Sequence, residues 1–477
     1  MLNSKQIIEQ SGVQFGTSGA RGLVSQFSPE VSAAFTHAFL NSLRGQFSFE
    51  QVAVAIDNRP SSPAIAQACA AAIVAQGYDV VYCGVIPTPA LAYAAMEDDI
   101  PCIMVTGSHI PFDRNGLKFY RPDGEISKSD EQAILGAQAQ FEMPSMLPEL
   151  VVDESAGLKY IERYTCLFPN DFLKGKRIGI YEHSSAGRDL YAKLFSAFGA
   201  EVLSLERTDT FVPIDTEAVS EHDKNKAKAW SETHDLDFIF STDGDGDRPL
   251  VADEQGTWLR GDILGLLCSE AMHIDALAVP VSCNTTIEAS NKFKHVSRTR
   301  IGSPYVIAEF NELARHYPSF AGFEANGGYL LGSDIDVNDQ PLKALPTRDA
   351  VLPALMLLKL SQDGGITDLV KSCESRFTDS DRLQNFPNDH SKAIIERSQG
   401  QEERLLSLVL GAPMTIRCVD RTDGLRMTCE NGDVVHLRPS GNAPELRCYA
   451  ESDSMQKASD LVTSVLANIK ALDITSL

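Results

Sequence analysis

Short apolar runs alternate with longer stretches of helical periodicity through most of the chain. Three times, a strand-like run leads into a loop rich in glycine or acidic residues. Strands that alternate with helices favour parallel α/β sheets, in which ligands bind beyond the carboxyl ends of the strands. The predicted strands are Val52–Ile56, Val80–Cys83, Cys102–Val105, Arg177–Tyr181, Asp237–Ser241, Leu277–Ser282 and Phe320–Phe323. The predicted helices are Pro63–Gln76, Arg188–Phe198 and Thr285–Phe293.

The last part of the chain has a different pattern. Its apolar runs are short and separated by turn sequences, which predicts a small α+β unit. The predicted elements are strands at Met414–Val419, Leu425–Cys429 and Val434–Leu437 and a closing helix at Met455–Ala471. We therefore predict four domains: α/β domains at residues 1–150, 151–253 and 254–372, and a smaller α+β domain at residues 373–477.

The composition is that of an acidic protein. Its 477 residues include 42 Lys and Arg against 65 Asp and Glu, for a net charge of −23. Such a charge repels polyanions, which argues against nucleic acid and anionic membrane surfaces as partners. No apolar run approaches the roughly 18 residues of a membrane-spanning helix, and the first residues do not resemble a secretory signal. The 10 Cys include no CxxC pair, so we expect reduced thiols in a cytoplasmic enzyme.

An acidic loop follows the predicted strand at Asp237–Ser241. Asp243, Asp245 and Asp247 alternate with glycines, which allow the backbone to turn all three carboxylates toward one point. Hard oxygen ligands in this arrangement suit Mg²⁺ or Ca²⁺, and without a cation they should raise one another's pKa values. An EF-hand is the alternative, but Arg248 occupies the position where its loop needs Gly.

A serine loop follows the predicted strand at Cys102–Val105. A serine at the carboxyl end of a strand can be an exposed nucleophile, and Gly107 would leave the approach to Ser108 open. His109, Arg114 and Lys118 are expected to supply the positive charge that a phosphorylated serine needs. A hydrogen-bonded loop serine without catalytic function is the alternative.

Three further loops carry groups that suit a sugar phosphate. A glycine-rich loop near the start ends in a cation, Arg21, and could surround a phosphate. Glu324 follows a predicted strand and can accept hydrogen bonds from adjacent sugar hydroxyls, with Asn326 as a further donor or acceptor. The stretch from Arg438 to Arg447 offers two guanidinium groups, which match phosphate oxygens in pairs.

The order of these motifs resembles that of the α-D-phosphohexomutase family. GTSGARG is followed by TGSHIP with NGLK, then by DGDGDR, a Glu-bearing glycine loop and RPSGNAPE, over about residues 14–450. The resemblance implies an α/β fold with three similar α/β domains of mixed sheets and a smaller C-terminal α+β domain around a central cleft. In order, these domains would carry the phosphoserine loop, the metal loop, the sugar-binding loop and the phosphate-binding loop.

The resemblance also implies a role for each motif residue. Ser108 is expected to be phosphorylated, with Mg²⁺ held by one of its phosphate oxygens and by Asp243, Asp245 and Asp247. The residues expected to assist the transfer are Lys118 as general base, Arg21, His109 and Arg248. The residues expected to bind the substrate are Glu324, Asn326, Arg438, Ser440, Gly441, Asn442 and Arg447. Arg59 and Gly302–Ser303 are weaker matches to the family pattern.

The implied activity is that of an isomerase, an intramolecular phosphotransferase. It would move a phosphoryl group between O6 and O1 of a hexose phosphate through a phosphoserine and a bisphosphorylated sugar. The layout of the chain favours a phosphomannomutase that converts mannose 6-phosphate to mannose 1-phosphate, with glucose phosphates as further substrates. The departure at Glu324-Ala325-Asn326 makes phosphoglucosamine or phosphoacetylglucosamine mutase the alternative. A phosphosugar-binding or Ca²⁺-binding protein is the alternative without enzymatic activity, and a monomer or homodimer is expected.

Overall fold

The computed structural model describes residues 1–16, 19–143, 146–373, 375–440 and 444–472. Its first sheet is mixed, with strand order β2-β3-β7-β6-β4-β5, and β8 pairs with β7. The strands of this region are β1 (Leu2–Asn3), β2 (Gln14–Phe15), β3 (Ala20–Leu23), β4 (Gln51–Ile56), β5 (Asp79–Val85), β6 (Cys102–Val105), β7 (Arg114–Arg121), β8 (Gly124–Glu125) and β9 (Gln140–Phe141), with β1 and β9 paired separately. Its helices are α1 (Ser4–Ser11), α2 (Pro29–Leu43), α3 (Ser62–Ala75), α4 (Thr88–Glu97) and α5 (Lys128–Gly136), and Val24–Gln26 is a 3₁₀ turn.

The second sheet is smaller, with strand order β11-β10-β12-β13. Its strands are β10 (Arg177–Tyr181), β11 (Glu201–Leu205), β12 (Phe238–Thr242) and β13 (Pro249–Ala252). The helices are α6 (Ser155–Thr165), α7 (Arg188–Ala197) and α8 (Glu221–His234).

The third sheet has the order β15-β14-β16-β17-β20. The strands of this region are β14 (Ala276–Pro280), β15 (His295–Thr299), β16 (Phe320–Phe323), β17 (Tyr329–Leu331), β18 (Ile335–Val337), β19 (Gln340–Leu342) and β20 (Leu345–Asp349), with β18 and β19 paired separately. Its helices are α9 (Gly261–Ala271), α10 (Thr286–Ala289), α11 (Ser303–His316), α12 (Val351–Leu360) and α13 (Ile366–Cys373).

One strand pattern recurs in all three sheets. Three parallel strands are followed by a fourth that returns antiparallel as the second arm of a hairpin: β6–β7, β12–β13 and β16–β17. The connection in each hairpin leaves the carboxyl end of the third parallel strand. The predicted serine, acidic and sugar-binding loops are these three connections, so the three loops occupy equivalent positions.

The C-terminal sheet is entirely antiparallel, in the order β21-β25-β24-β23-β22. Its strands are β21 (Phe377–Gln384), β22 (Ile416–Asp420), β23 (Leu425–Cys429), β24 (Val434–Pro439) and β25 (Glu445–Ser452). Its helices are α14 (Asn388–Arg397), α15 (Glu402–Leu410) and α16 (Met455–Ala471).

The distribution of the buried side chains separates the C-terminal sheet from the rest. A single hydrophobic core joins the first three sheets, through residues such as Met104, Phe240 and Val279. The C-terminal sheet packs around a core of its own. It meets the third sheet through polar contacts, among them the bond of 2.8 Å from Asn284 Nδ2 to the carbonyl of Arg376. The three α/β sheets are therefore anchored to one another more firmly than to the fourth.

Most of the predicted elements are present, and the predicted α/β class with mixed sheets is confirmed. One helix prediction was too long, because the predicted helix at Thr285–Phe293 ends at Ala289. Asn291 has a positive φ of 54°, a left-handed conformation that a continuing helix does not contain. Among the described residues, none of the helices has both the length and the apolar character needed to cross a membrane. The four domain boundaries remain predictions.

Candidate active site

The serine loop and the acidic loop meet at one point. Ser108 Oγ donates a hydrogen bond of 2.7 Å to Asp243 Oδ2. Lys118, on β7, donates to Asp245 Oδ2 at 2.5 Å and to Asp247 Oδ2 at 2.6 Å. Thr88, the first residue of α4, donates to Asp245 Oδ2 at 2.7 Å. The serine loop and the acidic loop are far apart in the sequence. They meet because each leaves the carboxyl end of the third parallel strand of its sheet.

The acidic loop has the features of a metal site. The three aspartates are fully buried, and one oxygen of each lies within 4.8 Å of the others. Within the described part of the chain, Asp245 Oδ1 and Asp247 Oδ1 have no hydrogen-bond partner. Buried carboxylate oxygens without a partner are costly, and a hard divalent cation would satisfy them. The donor set therefore fits the predicted cation.

The flanks of the acidic loop exclude the EF-hand alternative. The loop joins β12 to β13 in an antiparallel hairpin, whereas an EF-hand loop joins two helices. Gly246 has a positive φ of 74°, and a Cβ at Gly244 would lie 2.7 Å from the carbonyl oxygen of Ser108. The glycines therefore serve both the turn of the loop and its close approach to the serine loop.

The three aspartates do not titrate alike: neighbouring carboxylates raise the pKa values of Asp243 and Asp247 as predicted, but nearby cations outweigh this effect at Asp247. Burial, reinforced by the two neighbouring carboxylates, raises the pKa of Asp243 well above its usual value. Burial opposes ionisation of Asp245 as well, but the ammonium of Lys118 outweighs it and lowers the pKa. The pKa of Asp247 is lowered in the same way, chiefly by Arg348. Lys118 and Arg348 thus offset part of the negative charge of the three aspartates.

Ser108 is held in a strained position. Its φ of 54° lies in the left-handed region, and its backbone N–H donates to Thr106 Oγ1 at 2.7 Å. Its side chain points to the acidic loop rather than to open solvent, so the expectation of an exposed serine is wrong. A non-glycine residue held in this region is often part of a functional site. The geometry directs Oγ at the candidate cation position.

Arg59 determines the shape of the serine loop. Its five N–H bonds donate to the Asp57 carboxylate and to the backbone carbonyls of Ser108, Ile110, Pro111 and Arg114. A Cβ at Gly107 would lie 2.6 Å from Arg59 Cζ. Gly107 is thus needed for this arginine to pass, and not, as predicted, to leave the approach to the serine open. Arg59 has no N–H left for a substrate phosphate and acts as a positioning residue.

His109 does not contribute the positive charge predicted for it. Its Nδ1 lies 2.8 Å from Arg248 Nη1 and 3.4 Å from Ser108 Oγ. Because a guanidinium can only donate, Nδ1 accepts this bond and carries no proton. Burial and then Arg248 lower the pKa of His109 well below its usual value. His109 is therefore a neutral group that orients Arg248. Arg114 is exposed at the surface, whereas Ser108 is buried.

Arg348 is a site residue that the motifs did not identify. It is 2% exposed, and its Nε donates to Asp247 Oδ2 at 3.0 Å. Its Nη1 donates to Glu324 Oε2 at 3.1 Å and to Ser303 Oγ at 3.3 Å. Burial opposes its charge, but Asp247 and Glu324 outweigh burial and raise the pKa of Arg348. One guanidinium thus connects the metal loop to the sugar-binding loop. The only signal in the sequence is that Arg348-Asp349-Ala350 stands where the resembled family would have Lys-Asp-Gly.

We expect Arg348→Gln to lower the free energy of unfolding by about 3 kcal/mol. The change leaves the buried carboxylate of Glu324 without its cation, and breaking a buried pair by removing one partner is strongly destabilising. Urea unfolding of the metal-free protein measures the effect. Arg315→Gln is the matched control, because the Arg315 side chain is 71% exposed and should change stability little. Equal midpoints for the two variants would contradict the bridging role of Arg348.

The sugar-binding loop lies beside these groups. Glu324 and Asn326 are both buried, and Asn326 Oδ1 accepts from the backbone N–H of Gly328 at 3.0 Å. Thr216 Oγ1, from the connection between β11 and α8, donates to the carbonyl of Asn326 at 2.8 Å. The second sheet thereby supports the loop that is expected to bind the sugar.

Arg21 lies on β3 within the electrostatic field of the site. Burial and then Arg248 lower the pKa of Arg21 to about 10, while Asp245 and Asp247 act in the opposite direction. Its guanidinium thus lies in the same cluster of charges as Arg248, and its predicted part in the transfer remains a prediction.

The predicted phosphate-binding loop belongs to the C-terminal sheet. Arg438 Nε donates to Asp423 Oδ2 at 2.9 Å, and the backbone N–H of Ser440 donates to the carbonyl of Glu445 at 2.8 Å. Arg447 contributes, after burial, Arg248 and Arg21, to the lowered pKa of His109. Gly441 and Asn442 lie outside the described residues.

Comparisons with known proteins agree with this geometry. The family described as phosphoglucomutase/phosphomannomutase, alpha/beta/alpha domain I, matches residues 12–142, and its C-terminal domain matches residues 391–467. A phosphomannomutase from Salmonella muenchen is 60% identical over 471 residues, covering 99% of this chain and 98% of that protein. A phosphoglucosamine mutase from Pelotomaculum thermopropionicum is 26% identical, covering 97% and 100%. A phosphoglucomutase/phosphomannomutase family protein from Burkholderia thailandensis has the same fold, with a TM-score of 0.74, 21% identity and coverage of 99% and 98%.

Proposed function

The chain belongs to the α-D-phosphohexomutase family, and from that premise we propose that it is a phosphomannomutase. It would interconvert mannose 6-phosphate and mannose 1-phosphate, as an isomerase that transfers a phosphoryl group within the sugar. The observation that carries the choice of sugar is the identity of 60% to a phosphomannomutase along nearly the whole chain. The contact between Ser108 and Asp243 supports the chemistry, because it places a nucleophile at a cation site.

The three aspartates would hold Mg²⁺ together with an oxygen on Ser108. When bound, the ion would neutralise charge on the phosphoryl group during transfer. The partnerless oxygens of Asp245 and Asp247 in the described part of the chain support this ligand set. Lys118 and Arg348 lie against the same carboxylates and hold them in place.

The proposed transfer takes place at Ser108 in two half-reactions. In the first, the bond between phosphorus and Ser108 Oγ breaks, and a new one forms to the free sugar hydroxyl. We assign Lys118 the hydroxyl proton, which it would accept as the neutral amine, because the ammonium form that donates to Asp245 and Asp247 has no lone pair. The departing Ser108 oxygen takes up a proton, and Asp243 accepts the hydrogen bond of the free serine between the two half-reactions. The bisphosphorylated sugar then turns, and its other phosphoryl group returns to Ser108 as the sugar oxygen that it leaves regains a proton.

The sugar must be held in two orientations, so its contacts should be adaptable. Arg348 keeps the Glu324 carboxylate in place while the second carboxylate oxygen remains available to sugar hydroxyls. Arg248, oriented by His109, is placed to bind a phosphate next to Ser108. We assign Arg438, Ser440 and Arg447 of the C-terminal sheet, with Gly441 and Asn442, to the phosphate that is not being transferred.

A coupled assay that compares four sugar phosphates tests the proposal. We expect kcat/KM to be highest for mannose 1-phosphate, lower for glucose 1-phosphate, and lower still for glucosamine 1-phosphate and N-acetylglucosamine 1-phosphate. The reaction should need Mg²⁺ and a trace of bisphosphorylated hexose to phosphorylate Ser108. A higher kcat/KM for either amino sugar would overturn the choice of mannose and favour the alternative suggested by Glu324-Ala325-Asn326.

The remaining proposals concern the setting of the enzyme. We propose a cytoplasmic enzyme, in keeping with the free cysteines, most of which are buried structural thiols. We propose that it is a monomer or homodimer. We also keep the division at residues 1–150, 151–253, 254–372 and 373–477, with one site loop in each part.

A further inference from the structure

Besides Arg348, whose Nη2 forms an ion pair with Asp247 at 2.9 Å, three arginines near the site have buried N–H groups without a hydrogen-bond partner among the described residues. These are Arg248 Nε, Arg260 Nη2 and Arg447 Nε, which have no hydrogen-bond partner in the described part of the chain. They come from the acidic loop, the start of α9 and strand β25. A buried N–H of a charged group is costly to leave unsatisfied, so this set suits an anionic ligand that brings several acceptor oxygens.

Arg260 lies at the edge of the sugar-binding loop. It precedes α9 directly, and its neighbour Gly261 packs so closely on that loop that a Cβ would lie 2.1 Å from the backbone nitrogen of Gly327. Its Nε lies 3.3 Å from Asp262 Oδ1, and its side chain is 17% exposed. Asp262 is itself engaged by the backbone N–H of Asn284 at 2.9 Å. One edge of the guanidinium is thus fixed, and Nη2 is left for a ligand.

Glu217 follows Thr216, which donates to the carbonyl of Asn326 next to Gly327. Glu217 and Arg447 both line a cavity of about 590 Å³ that lies between residues 215–218 and the C-terminal sheet. Burial, with a contribution from Asp215, raises the pKa of Glu217, and Arg447, Arg260 and Arg248 act in the opposite direction. Glu217 therefore lies in the electrostatic field of all three arginines.

We propose that Arg260 binds a phosphate group of the sugar phosphate, and that Glu217 limits the affinity of the three arginines for that phosphate. The inference rests on the proposed function and adds a residue that none of the family motifs contains. Glu217 balances positive charge when no substrate is bound, and it repels the phosphate dianion when substrate enters. This opposition keeps a strongly cationic site from retaining its product or inorganic phosphate.

Substitutions of Arg260 and Glu217 should shift KM for the sugar phosphate and Kd for inorganic phosphate in opposite directions. We expect Arg260→Gln to raise KM for mannose 1-phosphate and Kd for inorganic phosphate by about tenfold, with kcat changed less than about threefold. Arg260→Lys should recover part of the loss, because a point charge remains without the fork of the guanidinium. Glu217→Gln should lower both constants by about threefold, because it removes a negative charge that opposes the anion.

Matched controls separate these effects from general changes in charge. Arg315→Gln and Asp209→Asn alter exposed side chains, 71% and 94% accessible, and should leave both constants unchanged. Calorimetric titration with inorganic phosphate needs no turnover, so it reports on Arg260 even if the chain proves inactive on mannose phosphates. Unchanged phosphate affinity in a folded Arg260→Gln variant would overturn the role of Arg260, whatever its thermal midpoint. Weaker binding in Glu217→Gln would overturn the role of Glu217.

Discussion

Ser108→Ala should lower kcat by about 10⁴-fold or more while leaving the protein folded. The serine oxygen carries the phosphoryl group in both half-reactions, and no other hydroxyl of the described residues donates to the Asp243 carboxylate. Stability should change by only about 1 kcal/mol, because the variant loses one hydrogen bond and a small side chain. Turnover is measured in the coupled assay with mannose 1-phosphate, and folding by urea unfolding.

Ser129→Ala is the matched control for this experiment. Ser129 lies exposed on α5 and bonds only to the neighbouring Ser127 hydroxyl at 2.7 Å, so the same substitution should leave kcat unchanged. Turnover of Ser108→Ala near that of the control would eliminate Ser108 as the nucleophile. A Ser108→Ala variant that fails to fold would instead contradict the small contribution of its side chain to stability.

Asp245→Asn should raise the Mg²⁺ concentration for half-maximal activity by about tenfold or more. The substitution keeps the shape of the side chain and an oxygen, but it removes the negative charge of one of three ligands. It also weakens the contacts of Asp245 with Lys118 and Thr88, so kcat at saturating Mg²⁺ should fall as well. A titration of activity against Mg²⁺ gives both values.

A second measurement on the same variant does not depend on turnover. Mg²⁺ should raise the thermal midpoint of the original protein, because it binds only the folded chain, and should raise that of Asp245→Asn much less. Asp209→Asn, whose side chain is 94% exposed, should respond like the original protein. An unchanged activity titration and an unchanged thermal response in Asp245→Asn would place the metal elsewhere.

The positions of the loops could be predicted from the sequence because they follow from strand topology. Each apolar run ends at the carboxyl edge of a sheet, and a polar loop that follows such a run must lie at that edge. The runs at Cys102–Val105 and Phe320–Phe323 were predicted with the bounds that the structure has. The contact between Ser108 and Asp243 could not be predicted without knowing that the three sheets share one strand order. The weak repetition of the sequence pattern indicated that order but did not establish it.

The roles of single side chains could be predicted less well, because they depend on contacts between distant segments. Arg59 is a cation that weakly matches the family pattern in the sequence, yet its N–H groups are nearly all used by backbone carbonyls. His109 follows the serine directly, but burial and Arg248 keep it neutral. Arg348 lies in a stretch with no recognisable motif, and only the fold brings it between Asp247 and Glu324. The sequence shows that a side chain can carry charge, but it does not show whether contacts within the protein leave that side chain free to bind a ligand.

The most direct test of the account is the fate of one phosphoryl group on the intact chain. The protein is incubated with mannose 1,6-bisphosphate and Mg²⁺, and intact mass and peptide mapping then locate the modification. We expect one phosphoryl group, on Ser108. When mannose 6-phosphate is added, an isotopic label carried by that group should pass to the sugar, while the other phosphoryl group of the bisphosphate phosphorylates Ser108 again. Phosphorylation of a different residue, or mutase turnover by a chain that never carries a phosphoryl group, would contradict the account.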